Sequence, residues 1–260
     1  MPIDPSKRLR PAREYALSIA KRLESSLTVT FVSNPAKTGT VMASFETSQG
    51  LETLGNRQLN QFVDGIEDVE VTSVMKTGKR RYVIADMIRE GIADTLVLGP
   101  FRSLITRWFT GSEVERILAV VDSDVFVVRG EHPLPGPGSP ALVVFDVDKI
   151  TDRGLKKIEE FSRKFSCDLE FLHLGPELFD GAEAMDKAVS ELRNRLGEGF
   201  HVTSTTVPLS FFRTRKAITN SVIKSEGARI VLLPFIEESV SDILLHQLVL
   251  SASVPVCVLK

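Results

Sequence analysis

The chain has 260 residues, a formal net charge of −2, 43% hydrophobic and 25% charged residues. This composition describes a globular chain long enough for one large domain or two ordinary ones, and it excludes the disordered and low-complexity classes. The near-neutral balance offers no global field for nucleic acid or an anionic membrane, so no nucleic-acid partner is expected, and no apolar run approaches the ~20 residues of a membrane span.

The first predicted element is a strand stub, "MPID". It reads as the end of a strand whose start is missing, as expected of a piece of a longer chain. "LRPAREYALSIAKRL" follows as a helix, with Ala12, Tyr15, Ala16, Ile19, Ala20 and Leu23 at helical spacing and Pro11 suited to the first turn. "LTVTFV" is a β-branched strand. The polar segment "FETSQG" reads as a long connection, either functional or disordered. Next come a helix, "LETLGNRQLNQFV", a strand, "VEVTSVM", and a helix, "YVIADMIREG", which Gly91 ends. "DTLVLG" is a buried strand. "SEVERILAVV" is a helix with Val114, Ile117, Leu118 and Val121 on one face, and "DVFVV" closes the series.

Residues 129–141, "RGEHPLPGPGSPA", are rich in proline and glycine and read as a linker. Beyond it the series repeats. "ALVVFD", "DLEFLHL", "HVTSTTV", "ARIVLLP" and "VPVCVL" are strands. Between them lie the helices "GLKKIEEFSRKF", "AEAMDKAVSELRNRL", "FFRTRKAITNSVIKSEG" and "VSDILLHQLVLSA". Strands alternating with helices imply parallel sheets covered on both faces. The expected fold class is therefore α/β: two tandem, doubly wound, five-stranded parallel sheets, residues 1–130 and 141–260. The terminal strands "DVFVV" and "VPVCVL" fall at sheet edges, where pairing between halves or between chains would protect them.

In such sheets ligands sit at the carboxyl ends of strands. That singles out Asp4, Gly99, Asp146 and Pro234. The loop "GPFRSLITRWFTGSE" after the fourth strand supports two readings. In one, Gly99 lets backbone approach a phosphate, Gly111 opens a helix, Ser112 donates a hydroxyl and Arg102 or Arg107 neutralises charge. In the other, Gly99 only turns the chain and Ser112 with Glu115 forms a capping box, while Leu104, Ile105, Trp108 and Phe109 fill the space a ligand would use. "KTGKRRY" gathers four cations between a strand and a helix, either as a solvated loop or as a contact for an acidic partner or anionic headgroups. Cys167 and Cys257 read as buried free thiols, with a disulfide as the alternative. His132, His173, His201 and His246 show no metal-ligand spacing. No nucleophile, base or Walker lysine stands out, so no enzymatic activity is expected.

The element order and the ending "DTLVLGP…TGSEVERILAVVDSDVFVVRG" resemble the universal stress protein family. Its nucleotide-binding members carry a Gly-x2-Gly-x9-Gly-Ser/Thr loop and an aspartate ending the first strand. The resemblance implies ATP or AMP binding in the first half by Asp4, Gly99, Arg102, Gly111 and Ser112. Two departures stand against it: Arg102 replaces the middle glycine, and the loop is one residue short. In the second half Asp146 or Asp148 keeps the strand-end place. The loop "LPFIEESVSDIL" has no glycine, and Glu237 and Glu238 would repel phosphate.

The run from "RLRPAREYALSIAKRL" to "DMIREGIADTLVLGP" also looks like the cytosolic C-terminal domain of cation–chloride cotransporters and related amino-acid permeases. That resemblance implies a non-enzymatic, cytoplasmic regulatory and dimerising domain with no cofactor. Its partners would be its own transmembrane transport domain and a second copy. The alternative is a free-standing tandem stress protein binding ATP or AMP in its first half.

Overall fold

The computed structural model describes residues 1–3, 10–33, 44–99, 113–145, 151–175, 182–208, 227–234 and 252–260. The chain divides into two units, Met1–Ser123 and Asp124–Lys260.

In the first unit, β1 (Pro2–Ile3), β2 (Leu27–Ser33) and β3 (Val71–Thr77) form a parallel sheet in the order β1-β2-β3. The remaining elements are α1 (Arg10–Arg22), α2 (Ser44–Val63), α3 (Arg80–Arg89), β4 (Thr95–Leu98) and α4 (Glu113–Leu118). Helix α1 buries Ala12, Tyr15, Ala16, Ile19 and Ala20 against β2 and β4, the predicted stripe except Leu23, which lies just past the helix end and is half-buried. The Arg13 guanidinium ties α1 to the end of α2. Its Nε donates to the Phe62 carbonyl at 2.8 Å and one terminal nitrogen to the Asp64 carbonyl at 3.1 Å, while its plane lies 5.4 Å from the Phe62 ring centre. Helix α3 ends as expected: Gly91 takes φ +71° and its N–H donates to the Ile88 carbonyl at 3.0 Å. On α4 and just beyond it, Val114, Ile117, Leu118 and Val121 are all buried.

Helix α2 begins earlier than its sequence pattern suggests. "FETSQG", read as a connection, is its first turns. Gly50 and the polar run hide the start, because periodicity needs apolar residues to register.

The second unit contains β5 (Asp124–Val127), β6 (Ala141–Phe145), α5 (Asp152–Phe165), β7 (Leu169–Gly175), α6 (Ala182–Leu196), β8 (Val202–Pro208), β9 (Ile230–Pro234) and β10 (Val256–Leu259). Five strands run parallel in the order β8-β7-β6-β9-β10. The chain starts at the central β6, winds out to β8, then returns to β9 and β10 on the other side. This is the expected doubly wound sheet. Its inner strands are continuous apolar runs, with Leu142, Val143, Val144, Ile230, Val231, Leu232 and Leu233 fully buried.

Strand β5 closes the first half of the sequence repeat, yet it lies in the second unit. It pairs antiparallel with β10, Val256 opposite Val127, Cys257 opposite Phe126 and Val258 opposite Val125. The expected pairing of the "DVFVV" and "VPVCVL" edges is therefore made within the chain. The Asp124 carboxylate fastens the pair: one oxygen accepts from the Lys260 N–H at 2.9 Å and from Lys157 Nζ at 3.4 Å. Helix α5 covers this region with Leu155, Ile158, Phe161 and Phe165. Thr151 caps its first turn, accepting from the Gly154 N–H at 3.3 Å.

Residues 129–141 hold a tight turn. The Ser139 N–H donates to the Gly136 carbonyl at 3.0 Å, and Gly138 takes φ +71° between them, as a Pro-Gly type II turn requires. His132 in this segment is partly buried. Burial, and then the nearby Arg229 cation, hold its pKa below the usual 6.5. Between that lowered value and 6.5 the unfolded chain binds a proton that the folded chain refuses. Stability is therefore lost as pH falls through 6.5. His132→Gln is expected to lose less stability than the wild type between pH 7.5 and 5.5, read as urea midpoints at the two values. Equal losses would clear His132.

Candidate functional site

Parallel strands place their carboxyl ends on one rim, and doubly wound sheets bind ligands where the winding reverses. In the second unit that switch point lies between β6 and β9, which end at Phe145 and Pro234. Asp146, Asp148, Glu237 and Glu238 follow these ends in sequence and lie outside the described residues.

By position in the sequence repeat the first-half counterparts of β6 and β9 are β1 and β4, which no described pairing joins. Gly99 follows β4 directly and is buried, behind a strand whose Leu96, Val97 and Leu98 are buried too. Asp4, Arg102, Gly111 and Ser112 lie outside the described residues. Of the five predicted nucleotide contacts, the structure therefore places Gly99, at the strand end where it was expected.

The strand ends of β2 and β3 themselves are described. The β2 and β3 strands end level, with Ser33 opposite Thr77. The Ser33 and Thr77 hydroxyls lie 3.0 Å apart, and the Gly78 N–H donates to the Ser33 carbonyl at 2.8 Å. Sequence reading missed this hydroxyl pair. Its signal was faint: "FVS" and "MKT" end adjacent strands, but only the register brings the two together.

Beyond Thr77 the cations of "KTGKRRY" follow. Lys76 and Lys79 are exposed, and Arg80 and Arg81 are half-buried. The Arg81 guanidinium lies 4.7 Å from the centre of the Tyr82 ring, itself 49% exposed. Among the described residues no ion pair holds Lys76, Lys79 or Arg81.

Cys167 and Cys257 are free and buried. Burial, with the Asp124 carboxylate second, pushes the Cys257 thiol well above its ordinary pKa, so it is no nucleophile. Among the described residues no three His, Cys, Asp or Glu side chains gather as a metal site, and no helix is long and apolar enough to cross a membrane.

Residues 1–129 match the model of the universal stress protein family. A universal stress protein from Archaeoglobus fulgidus superposes over 100% of this chain and 94% of its own, with a TM-score of 0.68 and 18% identity. The fold is universal-stress-protein-like. A functionally unknown protein from Pseudomonas aeruginosa PAO1 superposes over 100% of this chain and 90% of its own, with a TM-score of 0.61 and 15% identity. Both likenesses cover the universal-stress-like repeat from end to end, and at these identities they establish fold alone. No curated protein matches the chain.

Proposed function

We propose that this universal-stress-like protein is a non-enzymatic regulatory and dimerising domain on the cytosolic side of a transporter of the cation–chloride cotransporter or amino-acid permease type. It would signal by changing how domains pack rather than by turnover. The observation that carries this reading is the altered phosphate loop. Arg102 stands for the middle glycine, the loop is a residue short, and Glu237 and Glu238 occupy the second loop. The β5–β10 pairing uses those strands within the chain, so a dimer of this kind uses another surface.

A second reading is favoured by the family match over residues 1–129 and by Gly99 at the end of β4. Here ATP or AMP binds the first half through Asp4, Gly99, Arg102, Gly111 and Ser112. Calorimetry and thermal melting with millimolar ATP and magnesium separate the two. Regulation without nucleotide predicts no heat and no shift of the melting temperature. Micromolar binding that disappears in Gly111→Val establishes the second reading instead. The transporter assignment has its own test, the coding sequence upstream. Membrane-spanning segments in the same frame support it, and a frame without them removes it.

A further inference from the structure

Strand β3 ends the sheet order β1-β2-β3, with β2 on one side among the described residues. The hydrogen bonds show which of its backbone groups are already used. Leu27 N–H donates to the Glu70 carbonyl, and Gly78 N–H donates to the Ser33 carbonyl, both at 2.8 Å. The N–H and C=O of one strand residue point to the same side, and sides alternate along the chain. Thr72, Val74 and Lys76 therefore bond towards β2, while Val71, Ser73, Met75 and Thr77 present N–H and C=O to the side that no described strand occupies. No proline interrupts these seven residues. An edge of this kind is a template for another strand.

Charge decides which strand. Lys76 lies on the edge, Lys79 and Arg81 just past its end, and no ion pair among the described residues neutralises them. A lysine on an edge guards against pairing with itself, since a second copy brings the same cations. It does not guard against an acidic strand. Helix α3 sharpens the bias. Its cap residue, Lys79, makes no side-chain capping bond, and its first turn holds Arg80 and Arg81 with no acid. Cations at a helix N-terminus oppose the dipole, and nearby carboxylates would offset that.

We propose that an acidic, extended segment of a partner protein adds to β3 as a further strand. Its main chain pairs along Val71–Thr77, and its carboxylates meet Lys76, Lys79 and Arg81. The pairing surface is the length of β3 itself, so the proposal does not rest on nucleotide binding at the strand ends.

The probe is a capped seven-residue peptide alternating valine and glutamate, titrated into the full chain and followed by hydrogen exchange. The amides of Ser73, Met75 and Thr77 are expected to slow at least ~10-fold at saturation, against the protection that strand pairing confers. Thr72 and Val74, already bonded to β2, should change little. Ser73→Pro removes an outward donor without touching the β2 ladder. It should melt like the wild type and lose the peptide. Lys76→Glu with Lys79→Glu should weaken binding at least ~10-fold, and the milder Lys76→Gln with Lys79→Gln should weaken it less. The proposal is overturned by no binding at millimolar peptide, by equal binding of Ser73→Pro, or by protection that falls elsewhere. Binding to phosphatidylserine vesicles without peptide binding also overturns it and assigns the patch to membrane headgroups.

Discussion

Phe165→Ala is expected to lower the stability of the second unit by about 3–5 kcal/mol, the range for deleting a buried aromatic ring. Phe165 is 1% exposed and closes a cluster of three rings. Its centroid lies 4.6 Å from that of Phe161 on the same helix and 6.1 Å from that of Phe126 on β5. Phe161 and Phe126 complete the triangle at 6.2 Å. Such contacts add to the area term. Three strands and a helix meet around this cluster, because β5 is held by β10 and α5 touches both β9 and β10. The melting temperature should fall on the order of 10 °C. Urea unfolding followed by circular dichroism measures the loss, and a loss below about 1 kcal/mol would show that the rings do not form this cluster. Phe126→Ala combined with Phe165→Ala should cost less than the sum of the two, since each removes the other's partner.

Gly55→Ala should destabilise, although an alanine inside a helix normally gains about 1 kcal/mol over glycine. Gly55 lies within α2, where the helix runs against β2 and β3. A Cβ there would stand 2.7 Å from Phe31 Cδ1, 3.0 Å from Phe31 Cε1 and 3.3 Å from Met75 Cε. Met75 ends in a flexible methyl and can yield. The Phe31 ring is 4% exposed and cannot. Overpacking of this kind costs about 1–3 kcal/mol, so with the helix gain of about 1 kcal/mol offset the net expectation is a loss of up to about 2 kcal/mol. Denaturant titration of the single variant reads the sign directly. A gain in stability would mean that α2 does not approach β2 so closely. Phe31→Leu in the Gly55→Ala background should recover part of the loss, because the shorter side chain vacates the contact.

Much of the architecture was legible in local pattern. The apolar stripes of α1 and α4 predicted most of the buried residues there, since a helix face is set by residues three and four apart. The expected bounds of α6 agree with the observed Ala182–Leu196. The start of α2 was not legible, because its first turns carry little apolar signal. The candidate site was readable only as a motif. Gly99 stands at the end of β4 as the motif required, and the other four residues of that set lie outside the described residues. The Ser33–Thr77 pair could not be read from sequence, because the two hydroxyls are 44 positions apart.

The sequence by itself determined the alternation of strand and helix, the buried faces and the repeat. Each depends on side chains that are near neighbours along the chain. Tertiary structure decided the partner of β5, the side of β3 that no described strand occupies, and the close approach of Phe31 to Gly55. Strand register and the distance between a helix and a sheet are set by residues far apart in sequence, and periodicity carries no record of them.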